Sequence, residues 1–95
     1  MQKLTFLIVD DNFDDTEMLK EALIEINTDF HIVSRYDGSE AFEWLKSSGE
    51  KPYLIFLDLN MPRLKGFQCL NKLKQNEEWK HIPVVILYDV EIEGR

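Results

Sequence analysis

A short apolar run that ends in a carboxylate limits the fold of this chain more than any other feature. The run is Tyr53–Leu57, with Lys51-Pro52 before it and Met61-Pro62 after it, and Asp58 follows it directly. A run of this length between turn-forming residues is typical of a strand buried on both faces. Such strands belong to parallel sheets covered by helices, and these sheets place their chemistry at the carboxyl ends of the strands. Asp58 is therefore a candidate reacting group, although an aspartate here would also serve simply to start a turn.

The same pattern occurs at the start of the chain, where the apolar run Leu4–Val9 ends at Asp10 and Asp11. Two further strand-like runs, Phe30–Val33 and Val84–Leu87, complete a set of four, and helix-like segments separate them. Strands that alternate with helices favour a parallel sheet wound by right-handed crossovers. Because 95 residues make one small domain, we predict a single α/β unit.

Apolar residues at helical spacing mark the three segments between the strands. The first two segments are Thr16–Ile26 and Glu40–Ser47, and the third begins near Lys65-Gly66. Cys69 is the only cysteine, which excludes an internal disulfide and a cysteine-based metal cluster. We predict it to be a half-buried residue of the third helix. The predicted inward residues are Met18, Leu19, Ala22, Leu23, Ile26, Ala41, Phe42, Leu45, Phe67, Leu70 and Leu73.

The net charge of −7 is concentrated in the first fifty residues, which carry 12 acidic and 4 basic side chains. A chain this acidic is not expected to bind nucleic acid, but it suits a cation or a basic partner surface. Without a glycine-rich loop after the first strand, a dinucleotide or P-loop site is not supported. We see neither a membrane-spanning run nor a signal peptide, and predict a cytoplasmic protein without membrane contact. His31 and His81 fall on different elements and are predicted to be surface or strand-end residues rather than ligands.

Three carboxylates are predicted to meet at one edge of the sheet if the first and third strands are neighbours. Asp10 and Asp11 follow one of these strands, and Asp58 follows the other. Two carboxylates about 5 Å apart repel by roughly 3 kcal/mol at an effective dielectric constant of about 20, so such a cluster favours a bound cation. Mg²⁺ is the hard cation that suits a few carboxylates, a backbone carbonyl and water. The alternative is that each aspartate only ends its strand and points to solvent.

Three motifs resemble the receiver domain of two-component response regulators. They are IVDDN at Ile8–Asn12, LDLNMP at Leu57–Pro62, and the Lys65-Gly66 that follows, and the resemblance runs from about Leu4 to Leu87. It implies a flavodoxin-like (CheY-like) doubly wound parallel sheet, with four strands in the order 2-1-3-4 and three helices. The Asp-rich start of the first helix also resembles stand-alone receivers, including those that serve phytochrome kinases.

The resemblance implies a role for each acidic residue. By position, Asp58 would be the phosphoacceptor, Asp11 would bind Mg²⁺ directly, and Asp10 would act mainly through water. The backbone carbonyl of Asn60 would supply a further ligand oxygen. The phosphoryl donor would be a phosphohistidine on a sensor histidine kinase or a phosphotransfer protein. The chain would then be a signalling domain that switches conformation, and not a turnover enzyme.

The resemblance ends near Leu87. Receivers place Thr or Ser after the fourth strand, where this chain has Tyr88, and they continue into a helix, a strand and a helix that carry a lysine and an aromatic switch residue. We therefore expect a receiver domain over residues 1–88 that lacks this last segment, followed by a tail at 89–95. The tail ends in IEGR, Ile92–Arg95, which matches the factor Xa recognition sequence and favours a truncated or engineered chain.

Two alternatives to a signalling receiver remain open on these residues. A truncated or engineered fragment would fold and self-associate without signalling. Its fourth strand would be an apolar sheet edge, and we expect a homo-oligomer through that edge. An aspartate-nucleophile phosphatase of the haloacid dehalogenase type would need a second aspartate two residues after Asp58. The chain has Asn60 there, so we rank that function lowest.

Overall fold

A parallel sheet with connecting helices forms the protein in the computed structural model, which describes residues 3–59, 61 and 66–87. Among these residues the four strands lie in the order β2-β1-β3-β4, and each neighbouring pair is parallel. The predicted fold class, a flavodoxin-like sheet with strands in the order 2-1-3-4 and three helices, is confirmed. The elements are β1 (Thr5–Val9), α1 (Phe13–Ile26), β2 (His31–Arg35), α2 (Gly38–Ser48), β3 (Leu54–Asp58), α3 (Gly66–Gln75) and β4 (Val84–Leu87).

Helices cover both faces of the sheet, as the alternation of strands and helices requires. On one face, Leu7 of β1 and Ile55 of β3 pack in a cluster with apolar residues of α2 and α3. On the other face, Phe6 and Ile8 of β1 pack with Leu23 of α1. Because β1 and β3 are buried from both sides, their apolar runs are nearly continuous. The described helices are each too short or too polar to cross a membrane.

Side-chain caps fix where α1 and α2 begin. Asn12 Oδ1 accepts a 2.9 Å hydrogen bond from the Asp15 backbone N–H at the start of α1. Asp37 Oδ1 accepts one of 2.9 Å from the Glu40 N–H at the start of α2. Such caps satisfy N–H groups that have no partner inside the helix. Helix α1 therefore starts three residues earlier than predicted, at Phe13, and only Asn12 separates it from Asp11.

The prediction of the buried face was wrong for one residue of α3 and three of α1. Phe67 is 64% exposed, because the buried stripe of α3 is Gly66, Cys69 and Leu73 and Phe67 lies about 100° away from it around the helix. Met18, Ala22 and Ile26 are likewise exposed, since α1 turns Thr16 and Leu23 inward.

Cys69 is fully buried rather than half-buried. Its environment raises the pKa of the thiol to about 11, mainly through burial. Thiolate is the reactive form of cysteine. Cys69 therefore stays a protonated packing residue at neutral pH.

Candidate metal centre

Three aspartates meet at the carboxyl end of the sheet. Val9 and Leu57 pair in register across β1 and β3, so the residues that follow them, Asp10 and Asp58, leave the sheet side by side. Asp11 comes one residue later, and one carboxylate oxygen from each of the three aspartates lies within 4.8 Å of the others. The structure thus brings together three of the four predicted site residues.

The fourth predicted ligand, the carbonyl of Asn60, lies outside the described residues. Tyr88 and the tail at 89–95, which carry the predicted departures from the receiver pattern, lie outside them too. The two histidines do not join the aspartates. His31 starts β2 and His81 precedes β4 in an exposed turn, so both lie toward the amino end of the sheet.

The three carboxylates differ in their access to solvent. Asp10 is 5% exposed and Asp58 is 8% exposed, whereas Asp11 is open to solvent. Burying a carboxylate carries a large desolvation cost unless hydrogen bonds or opposite charge compensate it. The cluster therefore has two acids inside the protein and one at its rim.

Backbone hydrogen bonds hold Asp10 in place. Its N–H donates to the carbonyl of Arg35 at the end of β2, at 3.1 Å, and its Oδ1 accepts from the N–H of Asn12 at 2.9 Å. Asn12 also accepts from Thr16 Oγ1 through its carbonyl, at 3.0 Å. The sequence analysis did not identify Asn12 or Thr16 as supports of the site. The Asp-Asp-Asn order directly before a helix was the available signal.

The electrostatics of the cluster disfavour its full ionisation. Burial raises the pKa of Asp10 from 3.8 to about 6, the hydrogen bond from Asn12 opposes this rise, and the charge of Asp58 adds to it. The pKa of Asp11 is raised as well, chiefly by the partial desolvation of its carboxylate at the rim of the cluster and then by the charge of Asp58. Both shifts have the sign expected for like charges gathered in a partly dry site. A cation bound among these oxygens would offset the cost of ionising the three carboxylates.

The donor set fits a hard divalent cation. Among the described residues the cluster offers carboxylate oxygens only, and neither a cysteine sulfur nor a histidine nitrogen joins the three aspartates. Oxygen ligands of this kind suit Mg²⁺ and Mn²⁺ rather than softer metals. The Asp58 carboxylate can also act as an oxygen nucleophile, as aspartates do in several phosphoryl-transfer proteins. The geometry therefore supports two chemistries at one place, cation binding and nucleophilic attack.

Comparisons with known proteins agree with this geometry. The family model for the response regulator receiver domain matches residues 6–91. The response regulator Rcp1 of Synechocystis sp. is 37% identical over 86 residues, which cover 85% of this chain. The chain spans 58% of the length of Rcp1.

Solved structures give the same result. The phosphorylated cyanobacterial phytochrome response regulator RcpA is 32% identical with a TM-score of 0.87, covering 97% of this chain and 69% of RcpA. The Mn²⁺-bound form of Rcp1 is 33% identical with a TM-score of 0.84, covering 95% of this chain and 68% of that one. With a matching family model over most of its length and the acidic cluster at the expected edge of the sheet, the chain belongs to the response regulator receiver domain family.

Proposed function

We propose that this chain accepts a phosphoryl group on Asp58 from a phosphohistidine of a sensor histidine kinase or a phosphotransfer protein. The observation that carries the proposal is the position of Asp58, at the end of β3 with a carboxylate oxygen within 4.8 Å of oxygens of Asp10 and Asp11. A carboxylate oxygen of Asp58 forms the new O–P bond, the N–P bond of the donor histidine breaks, and the released imidazole nitrogen takes a proton. We place this exchange in the cytoplasm.

Four residues, including the one that carries the reacting carboxylate, would contribute to the Mg²⁺ site. Asp11 would bind it directly, Asp10 mainly through water, and Asp58 and the carbonyl of Asn60 would complete the protein ligands. When bound, the cation supplies positive charge that offsets the charge spread over the phosphoryl oxygens. The chain's own residues orient this set, since Asn12 N–H and Arg35 carbonyl fix Asp10.

Phosphorylation of Asp58 would act as a switch. The acyl phosphate adds charge and acceptor oxygens at the carboxyl edge of the sheet, and this biases a local two-state equilibrium. Residues 1–88 form the switching unit in this proposal, and residues 89–95 form a tail. The family consists of signalling domains, so the expected output is binding to a partner and not turnover of a substrate.

Acetyl phosphate tests the proposal without a cognate kinase. The chain is incubated with acetyl phosphate and Mg²⁺, and intact mass is recorded with and without chelator. We expect one phosphoryl group per chain, absent from Asp58→Asn and present in Asp29→Asn, an exposed acid before β2. A chain that gains no phosphoryl group, or gains it equally in Asp58→Asn, would contradict the proposal.

A specific observation supports the alternative, a fragment that self-associates. Among the described residues β4 pairs only with β3, and Val85 and Ile86 of β4 are 39% and 37% exposed. A strand with an open apolar edge is a template for pairing with another chain. Two copies joined through β4 would form a homodimer. Sedimentation velocity at rising concentration checks this: a second species that Val85→Lys abolishes supports the dimer, and a monomer at all concentrations excludes it.

A further inference from the structure

Gly66, the first residue of α3, lies against the peptide that carries the reacting aspartate. A Cβ placed on Gly66 would be 2.7 Å from the carbonyl oxygen of Asp58 and 2.7 Å from the carbonyl carbon of Leu59, and it would overlap the Leu59 Cα. Real Cβ atoms essentially never come within 3.0 Å of another atom in this way. The opposing atoms are backbone, so no rotation of a side chain relieves the contact.

The role of Gly66 differs from that of Gly49, the glycine that ends α2. Gly49 has a φ of 70° and nothing within 4 Å of a built Cβ, so it is required for its left-handed backbone. Gly66 has no positive φ. What requires a glycine at this position is the close approach of two backbones.

The Asp58–Leu59 peptide is contacted from two sides, by β4 and by Gly66. On the strand side, Asp58 is paired with Leu87 of β4, and the Leu59 N–H donates to the Leu87 carbonyl in a long contact of 3.5 Å. On the helix side, Gly66 touches the same peptide. We propose that Gly66 is a positioning residue, which lets α3 hold the Asp58–Leu59 peptide so that the Asp58 carboxylate stays in line with Asp10 and Asp11.

This inference rests on the proposed function for its consequence in phosphoryl transfer, but not for the contact itself. A misplacement of about 1 Å can cost a reaction on the order of a hundredfold in rate. Metal affinity falls roughly 10- to 100-fold when a residue that orients the ligands is changed. A methyl group at Gly66 would push Asp58 and Leu59 away from α3 by such a distance.

The test compares Gly66→Ala with Leu73→Ala, a variant that empties a buried position of the same helix seven residues further along. Mn²⁺ binding is followed by the electron paramagnetic resonance signal of the free ion. Native-state hydrogen exchange is measured at the Leu59 amide and, as internal reference, at the Ile55 amide of β3. If Gly66→Ala does not fold, a second variant, Leu59→Ala, loosens the same peptide by removing the side chain that packs it against the apolar cluster of α2 and α3.

We expect Gly66→Ala to weaken Mn²⁺ binding about tenfold and to speed exchange at Leu59 about tenfold relative to Ile55. Leu73→Ala should speed exchange at both amides together and leave Mn²⁺ affinity within about twofold. Gly66→Ala, or Leu59→Ala in its place, with unchanged Mn²⁺ affinity and an unchanged ratio of exchange rates would overturn the inference. If the unmodified chain binds no Mn²⁺, the proposed function fails, and the exchange ratio alone decides the role of Gly66.

Discussion

The backbone N–H of Asn12 donates a 2.9 Å hydrogen bond to Oδ1 of Asp10, so the residue that caps α1 also holds a buried carboxylate of the site. One residue thus couples the start of a helix to the geometry of the acidic cluster. The coupling follows from chain order, because β1 ends, the aspartates turn, and α1 begins within a few residues. Stability and cation binding should therefore respond to changes at the same few positions.

Asp10→Asn should stabilise the protein at neutral pH without divalent cations. The folded-state pKa of Asp10 is about 6, against 3.8 in an unconstrained chain, so the folded state binds more protons between these values. Stability then falls as pH rises through that window, and the penalty is complete above it. The asparagine keeps an acceptor for Asn12 N–H but carries no charge. We expect a gain of about 1 to 2 kcal/mol at pH 7.5, after allowance for solvent screening.

Urea denaturation at pH 7.5 and pH 3.5 measures this change. At pH 3.5 the carboxyl of Asp10 is largely protonated in both states, so the stability difference between the variant and the unmodified chain should shrink toward zero. Asp29→Asn serves as the control for loss of one exposed negative charge. An Asp10→Asn chain that is less stable at pH 7.5 would show that ionised Asp10 is favourable in the folded protein.

Mg²⁺ should raise the thermal stability of the chain, and more so at pH 7.5 than at pH 5. A ligand that binds only the folded state adds about 2.7 kcal/mol when its concentration is a hundred times its dissociation constant. At pH 5 a proton on Asp10 competes with the cation, because the pKa is about 6. The apparent affinity should fall about tenfold between the two pH values.

Differential scanning fluorimetry with MgCl₂ against NaCl of equal ionic strength separates specific binding from screening. Asp11→Asn should remove most of the Mg²⁺-dependent shift, since Asp11 is the acid open to solvent and is predicted to bind directly. Equal shifts with both salts would argue against a cation site at the three aspartates.

Asn12→Ala should cost about 1 kcal/mol through loss of the α1 cap. The side chain of Asn12 accepts from Asp15 N–H, while the hydrogen bond to Asp10 comes from the backbone of Asn12 and survives the change. Asn12→Ser, which keeps a capping oxygen, should retain most of the stability. Chemical denaturation of both variants tests this, and equal losses in alanine and serine would show that the cap contributes little.

The sheet and its acidic edge could be predicted because they depend on strong, short-range patterns. A continuous apolar run that ends in an aspartate occurs at both Val9 and Leu57, and the alternation of strands with helices places such ends together. The pattern also indicated which edge would carry the chemistry. The pattern did not show which residues hold the aspartates in place.

That support depends on approach distances and partners that residue type alone does not show. Thr16 is fully buried although threonine is a polar residue, because its hydroxyl donates to the Asn12 carbonyl at 3.0 Å. Gly66 belongs to a motif in the sequence, but only coordinates show that a backbone lies where its Cβ would be. The inward face of α3 was misjudged at Phe67 because a ten-residue helix offers few turns from which to read a period.

The exposed and buried faces of α3 predict different losses of stability for two alanine substitutions, Phe67→Ala and Leu73→Ala. Phe67 is 64% exposed and Leu73 is 2% exposed. Truncation of a buried leucine to alanine costs about 2 to 5 kcal/mol, because it removes apolar contacts and leaves a cavity. Truncation of a largely exposed residue usually changes stability by less than about 0.5 kcal/mol.

Phe67→Ala should therefore leave the urea midpoint nearly unchanged while Leu73→Ala lowers it strongly. If Phe67→Ala is as costly as Leu73→Ala, Phe67 is buried in solution, and a second chain or a segment outside the described residues covers it.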